Sequence, residues 1–244
     1  MIVVERLKKI YGGVPAVQDL SFHVGPGEIV GLVGPNGAGK TTTLRCLAGI
    51  VRPTEGRVAI AGHDLAGASV DAKRRLAFVP DEPDLFEHLT VEEHLAFVAR
   101  LYQVPDPEPL AAELLAELEL GARRQSFPGE LSRGMRQKLA MACALLHRPA
   151  VLLLDEPLTG LDPVGIRRMK DTIAARAAAG AAVLLSSHLL HLVEEVCSGL
   201  LILVGGRLAA SGPLGDVLAQ HPDLSGRALE EVFLRFVADA PDRA

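Results

Sequence analysis

Gly34-Pro35-Asn36-Gly37-Ala38-Gly39-Lys40-Thr41-Thr42 fits the spacing G-x-x-x-x-G-K-[ST]. Before it, Glu28-Ile29-Val30-Gly31-Leu32-Val33 reads as a short buried strand. After it, Thr42 to Leu47 opens with helix-compatible polar residues and turns apolar. A strand, a glycine-rich turn and a helix in that order make a phosphate cradle. Glycines let backbone N–H groups converge on phosphate oxygens, and the helix N-terminus adds partial positive charge. Lys40 supplies a point charge for the β and γ groups, and the Thr41 hydroxyl suits Mg²⁺. A plain glycine turn between core elements would explain the glycines but not the Lys-Thr that ends them.

Around this cradle the chain is long enough, at 244 residues, to bury a full core as one composite α/β domain. Its formal charge of −5 and dispersed basic residues give no stripe for nucleic acid, so none is expected as a partner. No apolar run reaches the roughly 18 residues of a membrane span, and the N-terminus lacks a signal-peptide layout. The expected place is therefore the cytoplasm. Cys46, Cys143 and Cys197 are odd in number and far apart, which reads as buried reduced thiols. His188-x-x-His191 lacks the acids or cysteines that would complete a protein-only metal site.

Residues 2–33 alternate apolar and polar stretches broken by Gly12-Gly13 and Gly25-Pro26-Gly27, a β-rich entry to the cradle. Gly56–Gly62 and Leu76–Pro80 read as further strands. From Thr90 to about Gly121 the period turns helical, with Leu95, Val98, Leu101 and Tyr102, then Leu110, Leu114 and Leu118, as its apolar positions. Another helix is expected from Ser132 toward His147. Val151–Leu154 and Ala182–Leu185 are apolar runs ending in Asp155-Glu156 and Ser186-Ser187-His188. Open α/β sheets hold ligands at strand ends, so these polar residues are expected to meet the cradle. A nucleoside triphosphate with Mg²⁺ needs an acid near the metal and a base or orienter for the attacking water; Asp155 and Glu156 supply two adjacent carboxylates.

With the cradle, Leu131-Ser132-Arg133-Gly134-Met135-Arg136-Gln137, Leu152–Glu156, Leu161-Asp162 and Ser187-His188 in this order, the chain resembles the ATP-binding subunits of ABC transporters over nearly its whole length. The resemblance implies a P-loop NTPase core with a β-rich N-terminal part and an inserted α-helical signature subdomain. On that plan about 1–84 and 149–212 form the nucleotide-binding core, 85–148 the helical subdomain and 213–244 a helical tail. It implies ATP and Mg²⁺ as cofactors, with Asp155 holding the metal through water. Glu156 would polarise the attacking water and His188 would contact the γ-phosphate. Tyr11 would stack on adenine, a half-buried strand aromatic being the other reading, and Asp162 would join the nucleotide-binding residues. Ser132 and Gly134 would face ATP bound by a second ATP-binding subunit in a head-to-tail dimer. The other implied partner is an integral membrane permease, with the chain peripheral on the cytoplasmic face of the membrane and Leu85 and Phe86 either anchoring a short permease helix or packing inside their own subdomain.

Two positions depart from the family pattern. Asp81 stands where a glutamine is usual, offering an oxygen to Mg²⁺ or water but adding charge, and Arg133 replaces the first glycine of the signature. Together with Met135-Arg136-Gln137, Arg133 resembles the export-type subunits that work with separate permeases. A soluble ABC ATPase acting as a mechanical or regulatory factor is the alternative, although paired cassettes and long coiled-coil insertions, usual in such factors, are absent. A non-hydrolysing half of a heterodimer is opposed by Glu156 and His188. A switch GTPase is excluded, because Asn36 is the only asparagine and no base-reading motif exists.

Overall fold

The computed structural model describes residues 1–219 and 229–238. A four-stranded sheet is built from β1 (Ile2–Tyr11), β2 (Val14–Val24), β4 (Glu55–Ile60) and β5 (His63–Asp64), in the order β2-β1-β4-β5 and antiparallel throughout. The second sheet contains β3 (Ile29–Val33), β6 (Leu76–Val79), β7 (Val151–Asp155), β8 (Ala182–Ser186), β9 (Gly199–Val204) and β10 (Arg207–Pro213), in the order β10-β9-β3-β8-β7-β6. Its pairings are parallel except for the β9–β10 hairpin at one edge.

The parallel strands are buried on both faces, which is why they read as unbroken apolar runs. Along β7, Val151 and Leu153 face the cluster that also holds α1 (Lys40–Leu47) and residues of the antiparallel sheet, while Leu152 and Leu154 face the cluster under the helices. β8 does the same with Ala182 and Leu184 against Val183 and Leu185. A one-residue slip in either strand would exchange its two side-chain sets between these clusters.

Between β6 and β7 lie α3 (Val91–Tyr102), α4 (Pro107–Glu117) and α5 (Arg133–Leu145); α2 (Ser69–Arg74) precedes β6. α3 begins at a capping box: Glu93 N–H donates to Thr90 Oγ1 at 3.3 Å and Thr90 N–H donates to Glu93 Oε2 at 2.7 Å. Leu95 and Leu114 lie in the core as their spacing predicts, but Leu101 is 64% exposed. Three- and four-residue spacing admits a stripe wider than the buried one, and Leu101 falls on its solvent edge. α6 (Pro163–Ala178) is tied to this helical part by charge: Thr172 Oγ1 and Arg176 donate to Glu117, and Lys138 and Arg168 pair with Glu119. After α7 (Leu190–Val196), α8 (Leu214–Ala219) and α9 (Leu229–Ala238) close the described chain, with Leu229 and Val232 buried. The expected tail over 213–244 therefore falls partly outside the described residues.

All three cysteines are free thiols, and burial pushes those of Cys143 and Cys197 up to about 12. His188 precedes α7 while His191 lies within it, and no group of metal-binding side chains forms among the described residues.

Leu153→Ala, at a fully buried position between the sheets, is expected to lower unfolding free energy by about 2–5 kcal/mol in a urea titration. Lys8→Ala, which removes an exposed pair with Glu55, is expected to change it by less than about 1 kcal/mol.

Candidate nucleotide site

The carboxyl ends of β3, β6, β7 and β8 lie along one edge of the parallel sheet, and the loops that leave them surround a cavity of about 530 Å³. Its lining includes residues 36–42 of the cradle together with Asp81, Asp155, Glu156 and His188. Residues separated by more than a hundred positions in sequence therefore share one site.

The cradle's path depends on close backbone approach. Gly39 immediately precedes α1 with φ +103°, and a Cβ there would sit 2.5 Å from the Ala16 carbonyl oxygen. At Gly34 an added Cβ would sit 2.3 Å from the Leu203 carbonyl oxygen. Gly34 thus lets the loop lie close over β9, whereas Asn36, Gly37, Ala38, Gly39, Lys40, Thr41 and Thr42 line the cavity, which Gly34 and Pro35 do not. The first N–H groups of α1 have no carbonyl partner within the helix, so the cavity floor is a row of donors on the positive end of a helix dipole. The Lys40 ammonium donates to the carbonyls of Gly34 at 2.6 Å and Pro35 at 3.3 Å. Its pKa is lowered by burial, against the pull of the Glu156 and Asp155 carboxylates.

Opposite the cradle, Asp155 ends β7 and is 4% exposed. In-register pairing with Ser186 on β8 explains its partner: Ser186 Oγ donates to Asp155 Oδ1 at 2.5 Å. Glu156 follows with φ +52°, an unusual conformation for a residue with a Cβ. Its N–H donates to the Ser186 carbonyl at 3.2 Å and to Ser186 Oγ at 3.1 Å, which holds that turn. The Glu156 carboxylate is held in turn by His188: the His188 N–H donates to Oε2 at 3.2 Å, and Nδ1 lies 2.8 Å from the same oxygen. Ser187 accepts from Leu189 N–H at 3.0 Å, fixing the bend that presents His188.

Other expected site residues stand elsewhere. Tyr11 is 47% exposed at the end of β1, outside the cavity lining, with the Lys9 ammonium 4.8 Å from its ring centroid. Ser132 caps α5, its Oγ accepting from Met135 N–H at 3.2 Å. Gly134 packs on the Gly160 carbonyl so closely that a Cβ would come within 2.8 Å of it. Asp162, grouped with the nucleotide-binding residues in the sequence, caps α6 by accepting from Gly165 N–H at 2.7 Å and does not line the cavity. The Asp162-Pro163 pair carries the ordinary signature of a helix start, so a cap was readable there. Asp81 does line the cavity, and its Oδ1 accepts from Arg133 at 2.8 Å, so the carboxylate expected to offer an oxygen to the metal is engaged in an ion pair through that oxygen. Ala16 and Thr159 also line the cavity without having been singled out; Thr159 Oγ1 is buried with no hydrogen-bond partner.

The donor set fits a triphosphate with a hard divalent cation: backbone N–H groups and Lys40 for phosphate, the Thr41 hydroxyl and the Asp155 carboxylate for the metal. Comparison with known proteins identifies the family. The family described as ABC transporter matches residues 17–159. The ABC-type transporter ATP-binding protein EcsA of Bacillus subtilis (strain 168) is 34% identical over 96% of both chains. The Nod factor export ATP-binding protein I of Burkholderia pseudomallei (strain 1710b) is 38% identical over 85% of this chain and 69% of its own. A solved ATP-binding subunit of an ABC transporter superposes with a TM-score of 0.92, at 37% identity over 97% of this chain and 99% of that one. A dimeric ATP-binding cassette solved with ADP and Pi, 24% identical over 88% of this chain and 99% of that one, shares the fold with a TM-score of 0.81. With its phosphate cradle and paired strand-end carboxylates on one sheet edge, the chain belongs to the ABC transporter family.

Proposed function

We propose that this chain is the ATP-hydrolysing subunit of an ABC transporter and energises a separate membrane permease through ATP-dependent pairing with a second ATP-binding subunit. The observation that carries the reading is the Glu156–His188 pair at the rim of a cavity floored by the α1 N-terminus and Lys40.

Lys40 and the cradle N–H groups hold the β- and γ-phosphates and place the γ-phosphorus toward Glu156. Mg²⁺, when bound by Thr41 and Asp155, supplies charge neutralisation on the phosphate oxygens. Ser186 fixes one Asp155 oxygen, so that carboxylate has a single preferred orientation. Glu156 accepts a hydrogen bond from the attacking water and takes its proton as the new oxygen–phosphorus bond forms and the bond from the γ-phosphorus to the β–γ bridging oxygen breaks, leaving ADP and inorganic phosphate. His188 keeps the accepting carboxylate from swinging away and stands 55% exposed on the open side, where it can reach the γ-phosphate. Tyr11 serves adenine from beyond the cavity lining, while Ser132 and Gly134 at the α5 N-terminus are offered to nucleotide on the second subunit. Such a dimer supplies γ-phosphate donors that one chain lacks and makes ATP part of the interface.

No helix among the described residues is long and apolar enough to cross a membrane; the permease of this scheme is a separate chain. Phe86 and Phe97 meet edge to face at 5.1 Å and are 55% and 42% exposed, on the helical side of the loop that leaves Asp81. Phe86 N–H donates to the buried His94 ring at 3.0 Å, which anchors this loop. These rings offer an apolar seat for a short permease helix on a path leading back to the nucleotide cavity. The export-type reading places the chain on the cytoplasmic face of the membrane.

Glu156→Gln is expected to reduce steady-state ATP turnover by about 10²–10⁴-fold while leaving ATP binding, and to accumulate a dimer in saturating Mg-ATP on size exclusion. A strictly monomeric mutant, or unchanged turnover, would count against the scheme. Lys40→Ala is expected to weaken nucleotide binding itself in equilibrium dialysis. Phe86→Ala is expected to reduce recovery of a polytopic membrane protein with affinity-tagged chain while ATP binding stays intact; recovery at wild-type levels would remove the apolar seat from the scheme.

A further inference from the structure

The two departures from the family pattern touch each other. Asp81 leaves β6 and faces the nucleotide cavity; Arg133 is the first residue of α5, beside the Ser132 cap. Arg133 donates to Asp81 Oδ1 at 2.8 Å across 52 positions of sequence. Two further contacts fix this junction. The amide of Gln137, one turn further along α5 and 2% exposed, lies 3.4 Å from the Pro80 carbonyl oxygen. The Arg133 stem runs over Gly160, where an added Cβ would meet Arg133 Cδ at 3.1 Å. Arg133 is thus held between the loop after β6 and the loop after β7.

We propose that Asp81 and Arg133 form one charge-compensated latch, in which Arg133 is a positioning residue that keeps the Asp81 carboxylate from opposing bound nucleotide and ties the cavity rim to the first turn of α5. A lone aspartate on the rim would repel the phosphates of a polyanionic ligand. Paired to a guanidinium, it contributes a net neutral polar group, the electrical equivalent of an uncharged amide. The same bond links the rim to the helix that carries Ser132 and Gly134, so a displacement of Asp81 by ligand is felt at the α5 N-terminus. Both side chains are nearly half exposed, so the effect is screened by salt.

This inference rests on the nucleotide reading of the cavity. The test is a double-mutant cycle of Arg133→Gln, Asp81→Asn and the double variant, with full-length protein and ATP in EDTA and, in parallel, in Mg²⁺, read by equilibrium dialysis at low and high salt. Thermal unfolding alongside verifies that each variant is folded. At low salt Arg133→Gln is expected to weaken metal-free ATP binding about 3- to 10-fold, and the double variant to return to within about 2-fold of wild type. Arg133→Lys is expected to retain near-wild-type affinity, and the Arg133→Gln loss is expected to shrink at high salt. Additive effects, wild-type affinity in Arg133→Gln, or a loss seen only when Mg²⁺ is present would overturn the latch, the last by making Asp81 a metal ligand. Wild-type protein that binds no ATP would instead overturn the nucleotide reading itself, and the latch with it.

Discussion

The geometry of the site depends on one steric allowance, the absence of a Cβ at Gly39. The residue turns left-handed immediately before α1, against the carbonyl of Ala16 on the neighbouring sheet. Any side chain there would push the helix away from β2, and the row of N–H groups at its start would lose its aim. Because α1 also packs into the apolar layer between the two sheets through Leu44, Cys46 and Leu47, the phosphate floor is rigid for the same reason the core is dense. Binding and stability share that helix.

On the facing side the constraint is register. Asp155 and Ser186 end adjacent parallel strands as direct partners, and the hydroxyl between them orients one carboxylate and holds the backbone of the next. The site is consequently a property of the sheet edge: four strands end together, and each contributes a loop to the cavity. The helical insertion is fastened to this edge from the side by the Glu117 and Glu119 clusters, by Gln137 at Pro80 and by Arg133 at Asp81. Several of these are polar links, which permit small reorientations that an apolar interface would resist.

Much of this was legible in the sequence where the signal is local. Glycine spacing with Lys40 and Thr41 announces the cradle, and doubly buried strands write themselves as apolar runs ending in polar residues. The helical insertion follows from its period, although Leu101 shows that period alone does not mark the dry side of a helix. The Asp81–Arg133 bond could not be read, because each departure taken singly looks like a loss and only the fold reveals them as partners. Asp162 shows a different difficulty: family likeness grouped it with nucleotide, while the Asp-Pro pair already spelled a helix cap. Gly134 too has a reason within one chain, the carbonyl of Gly160 pressed against it, beside any role toward a second subunit.

Glu156 occupies left-handed backbone space that costs a residue with a side chain about 1 kcal/mol relative to glycine. The chain therefore keeps a local source of instability at the carboxylate proposed to take the water's proton, restrained by Ser186 and His188. Selection for thermal robustness alone would favour glycine at this position, and a β-branched residue would be the hardest to accommodate. A thermostabilised descendant of this protein, chosen without regard to turnover, would be drawn toward silencing its own chemistry at this turn.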